Sequence, residues 1–159
     1  MEKPSNGSIL HMIEAPQVGG DTLFSDSHAA YLGLPGKVQK AIRGVYGVHD
    51  YRQFRQQQVQ AGVSKEVLEE LARDIPFGVT QPLVRTHPET GKQALYIHGG
   101  FLRHESLHDE NGPWTAERSK NMVAFLLQQH AKPEYQCRFK YENGSIAFWD
   151  NRACQHCAS

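Results

Sequence analysis

The stretch Tyr135-Gln136-Cys137-Arg138-Phe139-Lys140-Tyr141-Glu142-Asn143-Gly144-Ser145-Ile146-Ala147-Phe148-Trp149 decides the fold class. Apolar and polar residues alternate through 135–141, the period-two pattern of a strand with one buried face. Glu142-Asn143-Gly144 carries turn chemistry, because Asn and Gly tolerate positive φ. A second apolar run follows. The pattern predicts a β-hairpin over 135–149, with one long final strand reaching from Asn143 to His156. That strand runs out into a polar cluster of Asp150, Asn151, Arg152, Gln155 and His156. Polar groups at the end of an apolar strand suit the mouth of a barrel.

Further elements lie upstream of this hairpin. Residues 8–14, with Ile9, Leu10, Met12 and Ile13, read as a buried strand, and Thr22-Leu23-Phe24 starts another. Ser25-Asp26-Ser27 offers N-caps to a short helix ending at Tyr31. Leu34-Pro35 opens a helix with Val38, Ala41 and Ile42 on one face and Gly44 as its stop. Residues 45–51 read as a strand. The glutamine-rich stretch 53–60 reads as a solvated loop or helix. Residues 64–74 form an amphipathic helix with Val67, Leu68 and Leu71 inward. Strands over 79–85 and 94–98 are joined by a Pro/Gly-rich turn. Residues 115–130 make the longest helix, burying Met122, Val123, Leu126 and Leu127. Strands outnumber helices, so the fold class is mainly β with covering helices (α+β), in a single domain over 1–159.

Composition excludes several functions. Seventeen basic residues balance seventeen acidic ones, whereas an electrostatic nucleic-acid binder carries a basic excess. No apolar run is long enough to cross a membrane, and the N-terminus lacks the apolar stretch of a signal peptide. Three cysteines show no disulfide spacing, which points to a reducing, cytoplasmic setting.

The segment Phe148-Trp149-Asp150-Asn151-Arg152-Ala153-Cys154-Gln155-His156 resembles the W-D-N-R-x-x-Q-H motif of the taurine dioxygenase (TauD/TfdA-like) family. Three other stretches agree in the same order. Gly19-Gly20-Asp21-Thr22-Leu23-Phe24 is similar to G-G-D-T-L-[FW]. Arg85-Thr86-His87-Pro88-Glu89-Thr90-Gly91-Lys92-Gln93-Ala94-Leu95-Tyr96 is similar to R-T-H-P-x-[ST]-G-[KR]-x-A-L-[FY]. Arg138-Phe139-Lys140-Tyr141 fits R-[FW]-x-[WY]. The resemblance implies a double-stranded β-helix, or jelly roll, incomplete in this chain. It also implies an enzyme that hydroxylates a small organic substrate of sulfonate or carboxylate type with dioxygen. The cofactor is Fe(II), and the cosubstrate 2-oxoglutarate is decarboxylated to succinate. Its partners are small molecules, with neither nucleic acid nor membrane, and self-association into a homo-oligomer is expected.

The same resemblance assigns site residues. The family holds iron with two histidines and one carboxylate, leaving positions for 2-oxoglutarate and dioxygen. Two of those ligands come from a His-x-Asp motif and the third maps onto His156. Thr22 maps onto the threonine that helps hold the distal carboxylate of 2-oxoglutarate. Phe101 maps onto an aromatic near the substrate, with a core phenylalanine as the plainer alternative. Trp149 is expected to pack near the iron, and His49-Asp50 to face the substrate.

No His-x-Asp occurs in the sequence. The resemblance places that motif upstream of Met1, and a cosubstrate-binding Arg downstream of Ser159. Arg152 precedes His156 and is no substitute for that Arg. His87-Pro88-Glu89 and His108-Asp109-Glu110 are acceptable ligand pairs chemically, but they read as a turn and a solvated loop. Cys154-Gln155-His156-Cys157 is a C-x-x-C with no second half for a zinc site. The chain is therefore expected to be one part of a dioxygenase, the alternative being an inactive relative with a binding or scaffolding role.

Overall fold

The computed structural model describes residues 5–73 and 78–158. The chain opens with β1 (Gly7–His11) and β2 (Thr22–Asp26), then turns into α1 (Ser27–Leu32) and α2 (Gly36–Ile42). β3 (Tyr46–His49) leads to α3 (Arg52–Gln60) and α4 (Lys65–Ala72). Four short strands follow: β4 (Val79–Pro82), β5 (Val84–Thr86), β6 (Gln93–Leu95) and β7 (His108–Asp109). β8 (Gly112–Pro113) precedes the long helix α5 (Ala116–His130), and β9 (Gln136–Phe139), β10 (Ile146–Asp150) and β11 (Cys154–Ala158) complete the fold.

The helices start where capping chemistry puts them. Asp26 Oδ1 accepts the N–H groups of His28 and Ala29 at 2.8 and 2.9 Å, satisfying donors that the first turn of α1 leaves free. Ser64 and Thr115 cap α4 and α5 in the same way. α5 buries Val123 and Leu126 completely and packs Met122 and Leu127 against the same core. Tyr31, Ile42, Leu83 and Leu95 complete the centre of that core. Each such side chain gains about 1.5–3 kcal/mol from burial.

The strands pair antiparallel in four small sheets, ordered β1-β10, β11-β2-β9, β4-β3-β7-β8 and β5-β6. The fold is thus mostly sheet with helices, and among the described residues no sheet closes into a barrel.

The predicted hairpin over 135–149 does not form. Its turn exists, with Ser145 N–H donating to Glu142 O at 2.9 Å and Gly144 at φ +82°. Yet β9 pairs with β2, and β10 pairs with β1. Gly144 and Met12 seal the exchange, since Gly144 N–H donates to Met12 O and Met12 N–H to Ser145 O. Alternation fixes which face of a strand is buried but leaves its partner open. The expected single final strand also breaks. Asp150 Oδ1 accepts the Arg152 N–H at 2.8 Å, an aspartate turn that separates β10 from β11.

Smaller differences have local causes. The first strand covers only Gly7–His11, and Ile9 and Ile13 are 70% and 82% exposed rather than buried. Val67 is 48% exposed on α4 while Leu68 is buried. The Leu71 side chain and Asp74 lie outside the described residues. The strand expected over 79–85 divides at Leu83, whose N–H donates to Val45 O while its carbonyl accepts Tyr96 N–H. Leu83 thereby passes the chain from the β3 sheet to the β5-β6 sheet. The strand expected over 94–98 shortens to Gln93–Leu95.

Candidate functional site

β2, β9, β10 and β11 build one side-chain cluster. In β11-β2, His156 stands opposite Phe24 and Ala158 opposite Thr22. Residues paired directly across an antiparallel ladder share a face, so Thr22, Phe24 and His156 project from the same face of the sheet. Thr22 is the diagonal neighbour of His156, at about 7–8 Å between strand positions of this kind. It is buried, and its hydroxyl pairs with the Tyr141 hydroxyl at 3.2 Å. Trp149 reaches onto that face from the other sheet. Its ring centroid lies 4.8 Å from that of His156 and 5.3 Å from that of Phe24. His156 is exposed as a whole residue while its ring rests on the indole. Partial burial lowers its pKa, which favours the neutral imidazole, the form that binds metals.

The W-D-N-R residues hold this cluster in place. Trp149 Nε1 donates to Asn151 Oδ1 at 2.8 Å, and Asn151 Nδ2 donates to Ser8 Oγ at 2.8 Å. The Asp150 carboxylate accepts Arg152 Nε, Arg152 Nη2 and His87 Nε2, the last at 3.0 Å. Arg152 also meets Glu89 at 3.0 Å. Hydrogen bonds from Arg152, aided by His87, hold the Asp150 carboxyl well below the usual carboxylate range against the opposing effect of burial. His87 Nδ1 accepts the N–H groups of Glu89 and Thr90, so its ring proton sits on Nε2 and points at Asp150. The β5-β6 turn is thus tied to the turn that presents β11.

A second group lies around the turn after β6. Phe101 is half-buried rather than a core residue, stacked at 5.6 Å on Phe54 of α3 and tilted against His98 at 4.6 Å. The glutamine-rich stretch is therefore helical and brings Phe54 to Phe101. Asp50 is buried, with Arg103 Nη2 at 2.6 Å and Arg52 Nε at 2.9 Å. Burial works to raise its pKa, but the bonds from Arg103 and Arg52 outweigh it and the net shift is downward. His49 sits beside Tyr96 at 5.7 Å. His98 is close enough to both His49 and His156 for each pair to repel when charged.

The other candidates are occupied or misdirected. Both ring nitrogens of His87 are engaged. His108 is half-buried rather than solvated, stacked on Tyr46 at 6.0 Å with Nδ1 bonded to Ser106 O. Cys154 and Cys157 are three residues apart on a strand and so project from opposite faces, which rules out a shared site. Burial pushes the Cys154 thiol up to about 11, so it stays protonated.

Among the described residues no three His, Cys, Asp or Glu side chains converge on a metal position. A single imidazole such as that of His156 could give a metal one ligand, and the described residues do not bring further ligands to it. Sequence reasoning missed the roles of Asp150, Arg152 and His98. The Asp-x-Arg spacing of a turn was a usable signal for the first two, and nothing local marks His98.

Known proteins match this arrangement along nearly the whole chain. The alpha-ketoglutarate-dependent sulfate ester dioxygenase of Pseudomonas putida is 28% identical, covering 99% of this chain and 51% of its own. The alpha-ketoglutarate-dependent 2,4-dichlorophenoxyacetate dioxygenase of a Burkholderia species is 32% identical, covering 94% and 46%. The crystal structure of a taurine dioxygenase from Burkholderia xenovorans superposes with a TM-score of 0.76 at 32% identity, covering 98% and 47%. The chain spans about half the length of these relatives. The family model for the taurine catabolism dioxygenase TauD, TfdA family matches residues 1–159, and the chain belongs to that family.

Proposed function

We propose that residues 1–159 are the His156-bearing part of an Fe(II)- and 2-oxoglutarate-dependent dioxygenase with a jelly-roll core. It hydroxylates a small sulfonate- or carboxylate-type substrate with dioxygen, as 2-oxoglutarate is decarboxylated to succinate. The family uses Fe(II) and 2-oxoglutarate. The observation that carries the reading is the shared face of Thr22, Phe24 and His156, closed by Trp149.

Each residue has a part in this reading. His156 is one metal ligand, and the remaining ligands come from outside the described residues. Trp149 and Phe24 pack against the imidazole and fix its plane. Thr22 offers its hydroxyl to a carboxylate of 2-oxoglutarate. Phe101 forms an apolar wall for the substrate.

The test is a chimaera in which residues 1–159 replace the matching part of the Pseudomonas putida relative. Anaerobic titration with Fe(II) and 2-oxoglutarate is followed by the visible charge-transfer band, and succinate is then measured in air. Both signals are expected, with loss of the band in His156→Ala and about tenfold weaker 2-oxoglutarate binding in Thr22→Val, the scale of one charge-assisted hydrogen bond. A folded chimaera without the band, or a band that survives His156→Ala, overturns the reading in favour of an inactive relative.

A further inference from the structure

Arg138-Phe139-Lys140-Tyr141, at the end of β9, runs beside the start of β2. Its side chains alternate between the two faces of that sheet. Arg138 lies on the far face and meets Asp21 at 3.1 Å. Phe139 stands opposite Thr22, on the face that carries His156. Tyr141 continues the face of Phe139, with the two rings edge to face at 4.9 Å. Its hydroxyl lies 3.2 Å from the Thr22 hydroxyl. Thr22 and Tyr141 are both buried, though 119 positions apart in the chain. One strand end thus fixes Thr22 by an ion pair at the preceding residue, a ring opposite and a hydroxyl at its tip.

The two hydroxyls bring two protons, and the bond between them uses one. Among the described residues neither hydroxyl has another hydrogen-bond partner. A phenol is the stronger donor of the two and an aliphatic hydroxyl the stronger acceptor, so the bond runs from Tyr141 Oη to Thr22 Oγ1. The spare proton is then the threonine's, on the face shared with His156. Buried donors are nearly always satisfied, and a carboxylate oxygen is the acceptor that makes the strongest bond to such a donor. A hydroxyl that itself accepts a hydrogen bond donates more strongly, because bonds in a chain polarise one another.

We propose that Tyr141 is the positioning residue of Thr22: its phenol donates to Thr22 Oγ1 and so aims the threonine proton at the distal carboxylate of 2-oxoglutarate. This rests on the reading of Thr22 as a contact of that carboxylate and adds what orients it. A threonine hydroxyl otherwise rotates to suit any neighbour, so that its proton points away from the ligand for part of the time. Tyr141 touches no ligand and acts through Thr22.

In the native chain, ring-deuterated tyrosine is placed at position 141 alone, and the Fermi doublet of that residue is isolated in the labelled-minus-unlabelled Raman difference spectrum. The intensity ratio of the doublet separates a donating from an accepting phenol. The donating form is expected, and an accepting phenol overturns the proposal. In the chimaera, 2-oxoglutarate is titrated anaerobically against the iron band in the parent, Tyr141→Phe, Thr22→Val and the double variant. Tyr141→Phe should weaken binding about fivefold, the worth of one neutral hydrogen bond, and should add no loss to that of Thr22→Val. 2-Oxopentanoate, with a methyl group where the distal carboxylate stands, should bind the parent and Tyr141→Phe equally. Equal weakening for both keto acids would mean a purely structural loss, and a full loss on top of Thr22→Val would mean a phenol that acts by itself. Either result overturns the proposal, as does unchanged 2-oxoglutarate binding in Tyr141→Phe. If Tyr141→Phe does not fold, the Raman signature decides alone. A parent chimaera without the band marks failure of the dioxygenase reading, and the role of Tyr141 falls with it. A parent band with undiminished affinity in Tyr141→Phe marks failure of the role of Tyr141 alone.

Discussion

Asp150 carries more of the site's geometry than any residue that faces it. One carboxylate receives two arms of Arg152, the Arg152 backbone N–H and the Nε2 proton of His87. Charge-assisted bonds of this kind contribute roughly 1.5–3 kcal/mol when a partner is lost. Asp150→Asn keeps the shape but removes the charge. It should cost about 2 kcal/mol and lower Tm by about 6 °C for a chain of this size, measured by calorimetry. His87→Ala should cost less, and the double variant should cost less than the sum, because both changes strike one network. Additive losses would show that His87 and Asp150 act separately. The motif around Asp150 was legible in sequence because turn, cation and aromatic sit within four positions of one another. The partnership with His87 was not, since 63 residues separate the pair and only the tertiary fold joins them.

Elements were read well where local chemistry decides and poorly where pairing decides. α1, α4 and α5 follow from their Asp26, Ser64 and Thr115 caps, and each was visible in the chain. The final hairpin was misread because two alternating runs beside Asn143-Gly144 look like partners, although β1 and β2 compete for them and win. The contact between α5 and β2 illustrates pairing at this level. His130 Nδ1 meets Ser25 Oγ at 3.0 Å, both residues buried. Burial lowers the pKa of His130 to about 4, as it does for His49, from an ordinary 6.5. The unfolded chain therefore binds protons between those values that the folded chain refuses. Stability is fully present above pH 6.5 and is lost as pH falls toward 4, at up to about 1.4 kcal/mol per pH unit for each proton. Asp150 contributes in a different window, below its ordinary 3.8. Tm should thus fall between pH 6.5 and 4, and His130→Gln should flatten that slope by about one proton. A slope unchanged in the variant would mean that His130 is protonated in the folded state.

At the scale of the molecule, one surface is unlike the rest. Trp149 and Ala147 face the site from β10, so Ile146 and Phe148 must face away, and Ile9 stands opposite Phe148 on β1. These three are 65%, 74% and 70% exposed. Three side chains expose only a few hundred Å², less than the roughly 1,000 Å² a stable interface buries. The strands that carry them add to it. β1 and β10 form a two-stranded sheet with an unpaired edge on each side among the described residues, and such a pair is marginal in water without further strands or a covering layer. Edge hydrogen bonds and apolar burial would be satisfied together by a second copy. Residues 1–159 should therefore sediment above the 17.9 kDa of one chain, with a mass that rises with concentration. Ile9→Thr combined with Phe148→Ser removes the apolar part of the drive while leaving Trp149, His156 and their ring contact on the opposite face. That variant should sediment as a monomer and keep its Trp149 fluorescence. A wild-type chain that stays monomeric throughout would show that the exposed face is tolerated as it stands, and that the contacts of Trp149 with Phe24 and His156 and of Asp150 with His87 suffice to hold the two-stranded sheet.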